Sequence, residues 1–214
     1  SSPVSGTIIN DLLDELWTQG MIGGDVIEGT SNLWTLDEES QSWLSVADIL
    51  SKSVTAGEGF LVYVFDDIDF DGDSDLPVDL YVSGNHNTTD VSISDIQENN
   101  YYLAGNPYTK TISWNDISKT NLSSIVSVWD DASSCWKTYN GISGDLIDGR
   151  ISPFQGFLVQ AIGGTGSFSI QSADIATSPG GFLGKRTEVD STGYAIITAS
   201  TEEFISSAYF SFEA

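Results

Sequence analysis

The tetrapeptide Gly-Phe-Leu-Val occurs twice in this chain, at Gly59–Val62 and at Gly156–Val159, an offset of 97. It belongs to a set of three blocks that recur in the same order. Asp37 followed six positions later by Trp43 matches Asp130 followed six later by Trp136, an offset of 93. Upstream, Ser2-Pro3-Val4 matches Asn106-Pro107-Tyr108, an offset of 104. Blocks that repeat in order point to two related structural units, and the drifting offset places loops of unequal length between them. The expected organisation is a first half over residues 1–100, a second half over 101–179 and a distinct C-terminal stretch over 180–214.

The residues around these blocks favour strands. Gly59 to Phe65 is an almost continuous apolar run of β-formers, and Ser124–Trp129, Gln155–Ile162, Ser167–Ile170, Tyr194–Thr198 and Ala208–Phe212 are similar. Asp79 to Ser83 adds a shorter strand after Pro77. Glycine and serine punctuate the runs, as turns of an antiparallel sandwich require. Gly163-Gly164-Thr165-Gly166 is expected to be a hairpin turn, and short helical turns are expected around Trp114–Ile117. One helix is expected, from Thr7 as N-cap to Trp17, because Ile8, Ile9, Leu12, Leu13, Leu16 and Trp17 form a stripe at helical spacing. The fold class is therefore all-β, a mainly antiparallel β-sandwich with one short N-terminal helix and two similar halves.

Charge narrows the partners. The 214 residues carry 31 acidic and 7 basic side chains, a net charge of −24, which repels phosphate backbones and anionic lipid surfaces. Nucleic acid and membrane insertion are accordingly not expected, and no apolar run approaches the roughly 20 residues of a spanning helix. Six Trp, eight Tyr and ten Phe separate the chain from acidic disordered tails. Cys135 has no second cysteine to pair with, and its place beside Trp136 in a strand-like run suggests a buried, inert thiol. His86, in the polar stretch Gly84–Thr88, is expected to be a surface loop residue rather than a base.

The densest chemical signal is the segment from Asp66 to Asp75. With Asp67 as position 1, Asp69, Asp71, Asp73 and Asp75 fall at 3, 5, 7 and 9 and Gly72 at 6, the alternation that wraps hard oxygen ligands around Ca²⁺. Position 12 is Val78, with Asp79 one place later, so the usual bidentate carboxylate is displaced. The expected ligand set is Asp67, Asp69, Asp71 and Asp75 through side chains, Asp73 through its backbone carbonyl, and Asp79 in the displaced place. The competing account is a solvated acidic loop that keeps a sheet edge from pairing. A second candidate is aromatic. Trp34, Trp129 and their neighbours are expected in the core, whereas Trp43 and Trp136 are the half-exposed pair suited to stacking on a sugar ring. No arrangement of Ser, His, Cys or acid suggests a catalytic centre.

Leu103–Tyr108, then Ile112-Ser113-Trp114, then a Val-Trp-Asp strand, then Ile151-Ser152-Pro153-Phe154-Gln155-Gly156-Phe157-Leu158-Val159 form an ordered pattern. It resembles the "GNPY … I-x-W … WD … I-x-P-x-Q-G-F-x-V" region of large secreted surface proteins of Bacteroidetes and related bacteria, many of which end in a sorting domain read by the type IX secretion system. Ser1–Thr7 with Leu16–Gly20 looks like the companion block that precedes this region. Phe182–Lys185 and Ala208–Ala214 look like the segment that follows it. The resemblance implies a non-catalytic extracellular module of a longer protein, engaged in surface display, adhesion or assembly with protein partners or copies of itself. Two alternatives stand beside it, a carbohydrate-binding module and an accessory region of a polysaccharide-degrading enzyme.

Overall fold

The computed structural model describes residues 1–183 apart from Ser5, Pro77 and Asp79, together with the backbone of residues 193–200 and 205–212. Helix α1 (Ile9–Leu13) is followed by β1 (Leu33–Leu36), β2 (Trp43–Ser45), β3 (Leu61–Val62), β4 (Leu80–Ser83), β5 (Val91–Ile96), β6 (Tyr101–Gly105), β7 (Ile112–Ser113) and β8 (Ser118–Thr120). Then come β9 (Val126–Asp130), β10 (Cys135–Tyr139), β11 (Arg150–Ile151), β12 (Gly156–Gln160), β13 (Gly166–Ile170), β14 (Gly193–Ser200) and β15 (Ile205–Phe212). The fold is all-β. Pairing between strands is antiparallel except where β14 runs beside β4.

The repeat is visible in the sheets. β1 lies between β2 and β3, and β9 lies between β10 and β12, so each half builds the same three-strand order. Leu36 faces Trp43 across the first hairpin, and Trp129 faces Trp136 across the second. The apolar residues then form two clusters. One gathers Val4, Ile9, Leu12, Leu13, Leu33, Ile49 and Val82, and the other gathers Ile96, Trp114, Val126, Val128, Phe157, Phe168 and Ile170. In the second, burial alternates along β9, β12 and β13 at the two-residue period of a strand. Phe157 of β12 meets Phe168 of β13 with ring centroids 6.4 Å apart, closing one sheet over another.

Strand β6 is the seam. One edge pairs with β12 of the second half. The other receives Gly59 N–H on Leu103 O at 3.1 Å and donates Gly105 N–H to Gly57 O at 2.9 Å, binding the first half. Only glycine fits at 59, because a Cβ there would stand 2.5 Å from Ala104 O. Immediately after β6, Asn106 is fully buried, and its Nδ2 donates to Lys110 O, Ile151 O and Ser152 O at 2.9–3.0 Å while its Oδ1 accepts Tyr108 N–H. Ser2, its counterpart in the repeat, accepts Val4 N–H at 3.1 Å in the same way, so the shortest of the three blocks marks the same local turn.

The segment before each Gly-Phe-Leu-Val strand also repeats. Glu58 N–H donates to Thr55 O and Gln155 N–H to Ser152 O, closing two turns whose third residues, Gly57 and Phe154, have φ of +89° and +62°. Pro153 suits the second place of such a turn, whereas a phenylalanine in the third is strained by about 1–2 kcal/mol. The ring offsets that cost by crossing between the halves. Phe154 is 7% exposed and belongs to the cluster of the first half, not its own.

Several expectations change. The helix spans Ile9–Leu13, not Thr7–Trp17: Thr7 Oγ1 donates to Val4 O rather than capping, Ile8 is extended and bridges Ser53, and Leu16 N–H closes a turn on Leu13 O. Trp114–Ile117 holds one hydrogen-bonded turn rather than a helix, with Asp116 N–H on Ser113 O at 3.1 Å, and the Lys119 ammonium bonds the carbonyls of Trp114 and Ile117. Gly163–Gly166 is not a hairpin turn; β12 and β13 belong to different sheets, and the glycines carry the chain between layers. Cys135 is exposed rather than buried, with Sγ 3.1 Å from Ser133 Oγ. Trp34 and Trp129 are half-buried, and the fully buried tryptophan is Trp114.

The strained turn yields an inverted mutational order. Phe154→Ala and Phe154→Gly should each destabilise by about 3–5 kcal/mol through loss of the buried ring. Glycine should be the milder of the two in urea denaturation, because it alone removes the left-handed strain. A milder alanine variant would show that position 154 stores no strain.

Candidate metal site

The acidic loop follows β3 at the point in chain order where Gly163–Gly166 follows β12. Its ends are tied by Asp75 N–H on Asp66 O at 2.9 Å, and Asp75 Oδ2 takes Ile68 N–H at 2.6 Å. Inside this clasp each of the first three alternating carboxylates accepts one loop amide. Gly72 N–H bonds Asp67 Oδ2 at 3.0 Å, Asp71 N–H bonds Asp69 Oδ1 at 3.2 Å, and Asp73 N–H bonds Asp71 Oδ1 at 3.2 Å. Gly72, at φ +104°, makes the sharp bend that brings the loop back toward Asp67.

The result is convergence. One carboxylate oxygen from each of Asp67, Asp69 and Asp71 lies within 4.8 Å of the others. Asp67 Oδ1 is buried and has no hydrogen-bond partner. A buried carboxylate oxygen without a donor is costly, and a hard cation is one group that would satisfy it. Of the six residues expected as ligands, three are therefore gathered. Asp75 serves as the clasp, Asp73 lies beside Asp71, and Asp79 lies outside the described residues.

The charges act on one another. The Asp73 carboxyl is held above the ordinary range, first by a hydrogen bond shared with Asp71, then by partial desolvation and by the charges of Asp75, Asp69 and Asp67. A raised folded-state pKa makes the group's contribution to stability greatest at low pH, and it is lost as pH rises through that pKa. At neutral pH the metal-free loop is thus opposed by its own carboxylates.

The loop is buttressed by a residue that sequence reasoning passed over. Phe70, at φ +59°, turns its ring out of the carboxylate ring and onto Trp17, with centroids 4.5 Å apart. Phe65 follows at 5.8 Å from Phe70, and Tyr63 at 5.0 Å from Phe65. An aromatic residue between two aspartates was the available signal. It ties the loop to the chain just after α1.

The proposed sugar-stacking pair is arranged differently. Trp43 is 41% exposed on β2. Trp136 is half-buried on β10, with its ring edge-on to Trp129 at 72°. The two occupy equivalent places on outer strands of two sheets.

In a chelating buffer, Asp73→Asn should raise the melting temperature at neutral pH, and the gain should vanish once pH falls below the carboxylate range. A gain that persists in acid would separate it from charge repulsion. Comparison with protein-family models, curated proteins and solved structures finds no match to this chain.

Proposed function

We propose that this chain is a calcium-stabilised structural or adhesive module of a larger secreted bacterial surface protein, acting outside the cell and without catalysis. The observation that carries the calcium part is the convergence of one carboxylate oxygen from each of Asp67, Asp69 and Asp71 within 4.8 Å, together with a buried Asp67 Oδ1 that has no hydrogen-bond partner. These three residues would hold the ion through side-chain oxygens. When bound, the ion supplies neutralising positive charge at the point where the loop's aspartates repel one another. It would also fix Phe70, which sits between the ligands Asp69 and Asp71, against Trp17.

An extracellular setting accords with this chemistry. Calcium sites of extracellular modules work at Kd on the order of 10⁻⁴ to 10⁻³ M, which the fluid outside cells fills and the cytoplasm does not. The ordered GNPY, WD and Q-G-F motifs supply the surface-protein part of the proposal, and the duplicated scaffold suits display or adhesion. The carbohydrate-binding alternative draws on Trp43 and Trp136. Flat stacking needs rings open to solvent on one common face, whereas Trp136 is half-buried edge-on to Trp129 at 72° and Trp43 lies on a different sheet. The adhesive reading is preferred for that reason.

Thermal unfolding tests the metal directly. Calcium at a hundredfold excess over Kd should add about 2.7 kcal/mol, roughly 5–10 °C in melting temperature for a chain of this length. Asp71→Ala should abolish the calcium-dependent part. Equal melting curves in calcium and in sodium of the same ionic strength would leave an acidic loop that only responds to screening.

A further inference from the structure

The two halves present equivalent outer strands, β2 and β10, and they treat them differently. On β10 the position matching Leu44 is Lys137, a charged residue of the kind that discourages strand addition. The chain also returns along that strand, with Leu146 N–H on Thr138 O at 3.0 Å and Tyr139 bridged to Gly144. β2 has no such charge along its length. Trp43, Leu44 and Ser45 are all exposed, the first two at 41% and 49%. Among the described residues no strand lies on its outer side. Just past its end Ile22 N–H bonds Ala47 O at 2.9 Å and Ile49 N–H bonds Ile22 O at 3.0 Å, so the open edge is Trp43–Ser45.

The surroundings select what would fit there. The first 51 residues hold nine acidic side chains and no lysine or arginine. Asp37, Glu38 and Glu39 stand at the N-terminal end of β2, and Asp48 follows its C-terminal end. The nearest base along the chain, Lys52, is engaged by Glu58 at 2.6 Å. A second copy pairing antiparallel through the same strand would set Asp37–Glu39 of each molecule against Asp48 of the other, acid against acid. A basic segment meets the opposite charge at both ends.

We infer that the open edge of β2 accepts an extended, lysine- or arginine-flanked segment of a partner protein by strand addition, with Trp43 and Leu44 packing its apolar residues and Asp37, Glu38, Glu39 and Asp48 matching its charges. Main-chain hydrogen bonds would supply the pairing, and the flanking charges would supply the choice of partner. This deepens the adhesive part of the proposed function by naming the chemistry of the partner.

The test is a titration of the whole chain with a short synthetic valine-rich peptide flanked by lysines, apolar on both faces of the added strand, followed by fluorescence anisotropy of a label on the peptide. The lysine-flanked peptide should bind, weaken as salt is raised, and weaken by roughly tenfold with Leu44→Lys, which copies the guarded strand. Ile142→Lys, at an 89% exposed site on another loop, should leave binding unchanged. Unchanged melting curves would show that both variants fold. Equal binding of a glutamate-flanked peptide, no binding of either, or indifference to Leu44→Lys would each overturn the inference. So would concentration-dependent self-association removed by Leu44→Lys, which would make the second copy the occupant. None of these results bears on calcium-dependent melting, so the two proposals fail separately.

Discussion

The buried amide of Asn106 holds together what the repeat alone would leave apart. Its two N–H groups reach the carbonyls of Lys110, Ile151 and Ser152, one hydrogen being shared between two of them, and its acceptor fixes the Tyr108 amide. The Tyr108 hydroxyl in turn shares its one hydrogen between Thr89 O at 3.1 Å and Ile170 O at 3.0 Å, so the network reaches from the end of β6 to the end of β13. The Ser152 carbonyl also takes Gln155 N–H at 3.2 Å, so the amide reinforces a turn that the backbone closes. Because Ser152 begins the turn that carries Phe154 into the neighbouring core, the same amide also sets how the halves meet. An apolar residue could fill its volume but not its role.

Charge is the opposing influence. With a net charge of −24, most of the surface repels itself, and several of the basic groups among the described residues are engaged internally. Lys119 lies 4.4 Å from the centroid of Trp114 and bonds two carbonyls, and its pKa is lowered chiefly by burial. Lys137 and Arg150 face Asp130 and Asp148 at 3.6 Å and 3.2 Å. Little positive charge is left to relieve the acidic loop. Its aspartates are instead placed by backbone amides, which orient the oxygens without cancelling their charge.

Much of the architecture was legible in the sequence because strand-forming residues, turn formers and the repeat all agree. The Gly-Phe-Leu-Val and Asp-to-Trp blocks fall on strands with matching neighbours, and even the three-residue Ser-Pro match shares a hydrogen bond with its partner block. What escaped was set by distant residues. The apolar stripe from Ile8 to Trp17 satisfies a helix by spacing, yet Ile8 is held extended against Ser53, far along the chain. Likewise the four residues from Gly163 read as a hairpin turn because nothing local says that the next strand joins another layer. In the candidate site, the alternation of aspartates was enough to choose Asp67, Asp69 and Asp71, since their spacing is itself the geometry. The clasp formed by Asp75 and the packing of Phe70 on Trp17 depend on how the loop closes, which spacing does not encode.

The position of β6 between the halves has a consequence for the order of events during folding. Its partners on one side are Gly57–Gly59 and on the other Gly156–Gln160, so both of its edges are filled by contacts that are remote in sequence. High contact order of this kind slows folding, because loop-closure entropy is spent before the contacts that reward it exist. A chain emerging from its N-terminus cannot cover the segment before β3 until Tyr101–Gly105 has been made, nor bring Phe154 into the first core until most of the second half is present. The first half therefore waits with apolar surface open, and its excess of carboxylates, through mutual repulsion between chains, is what keeps neighbouring nascent molecules from filling the gap.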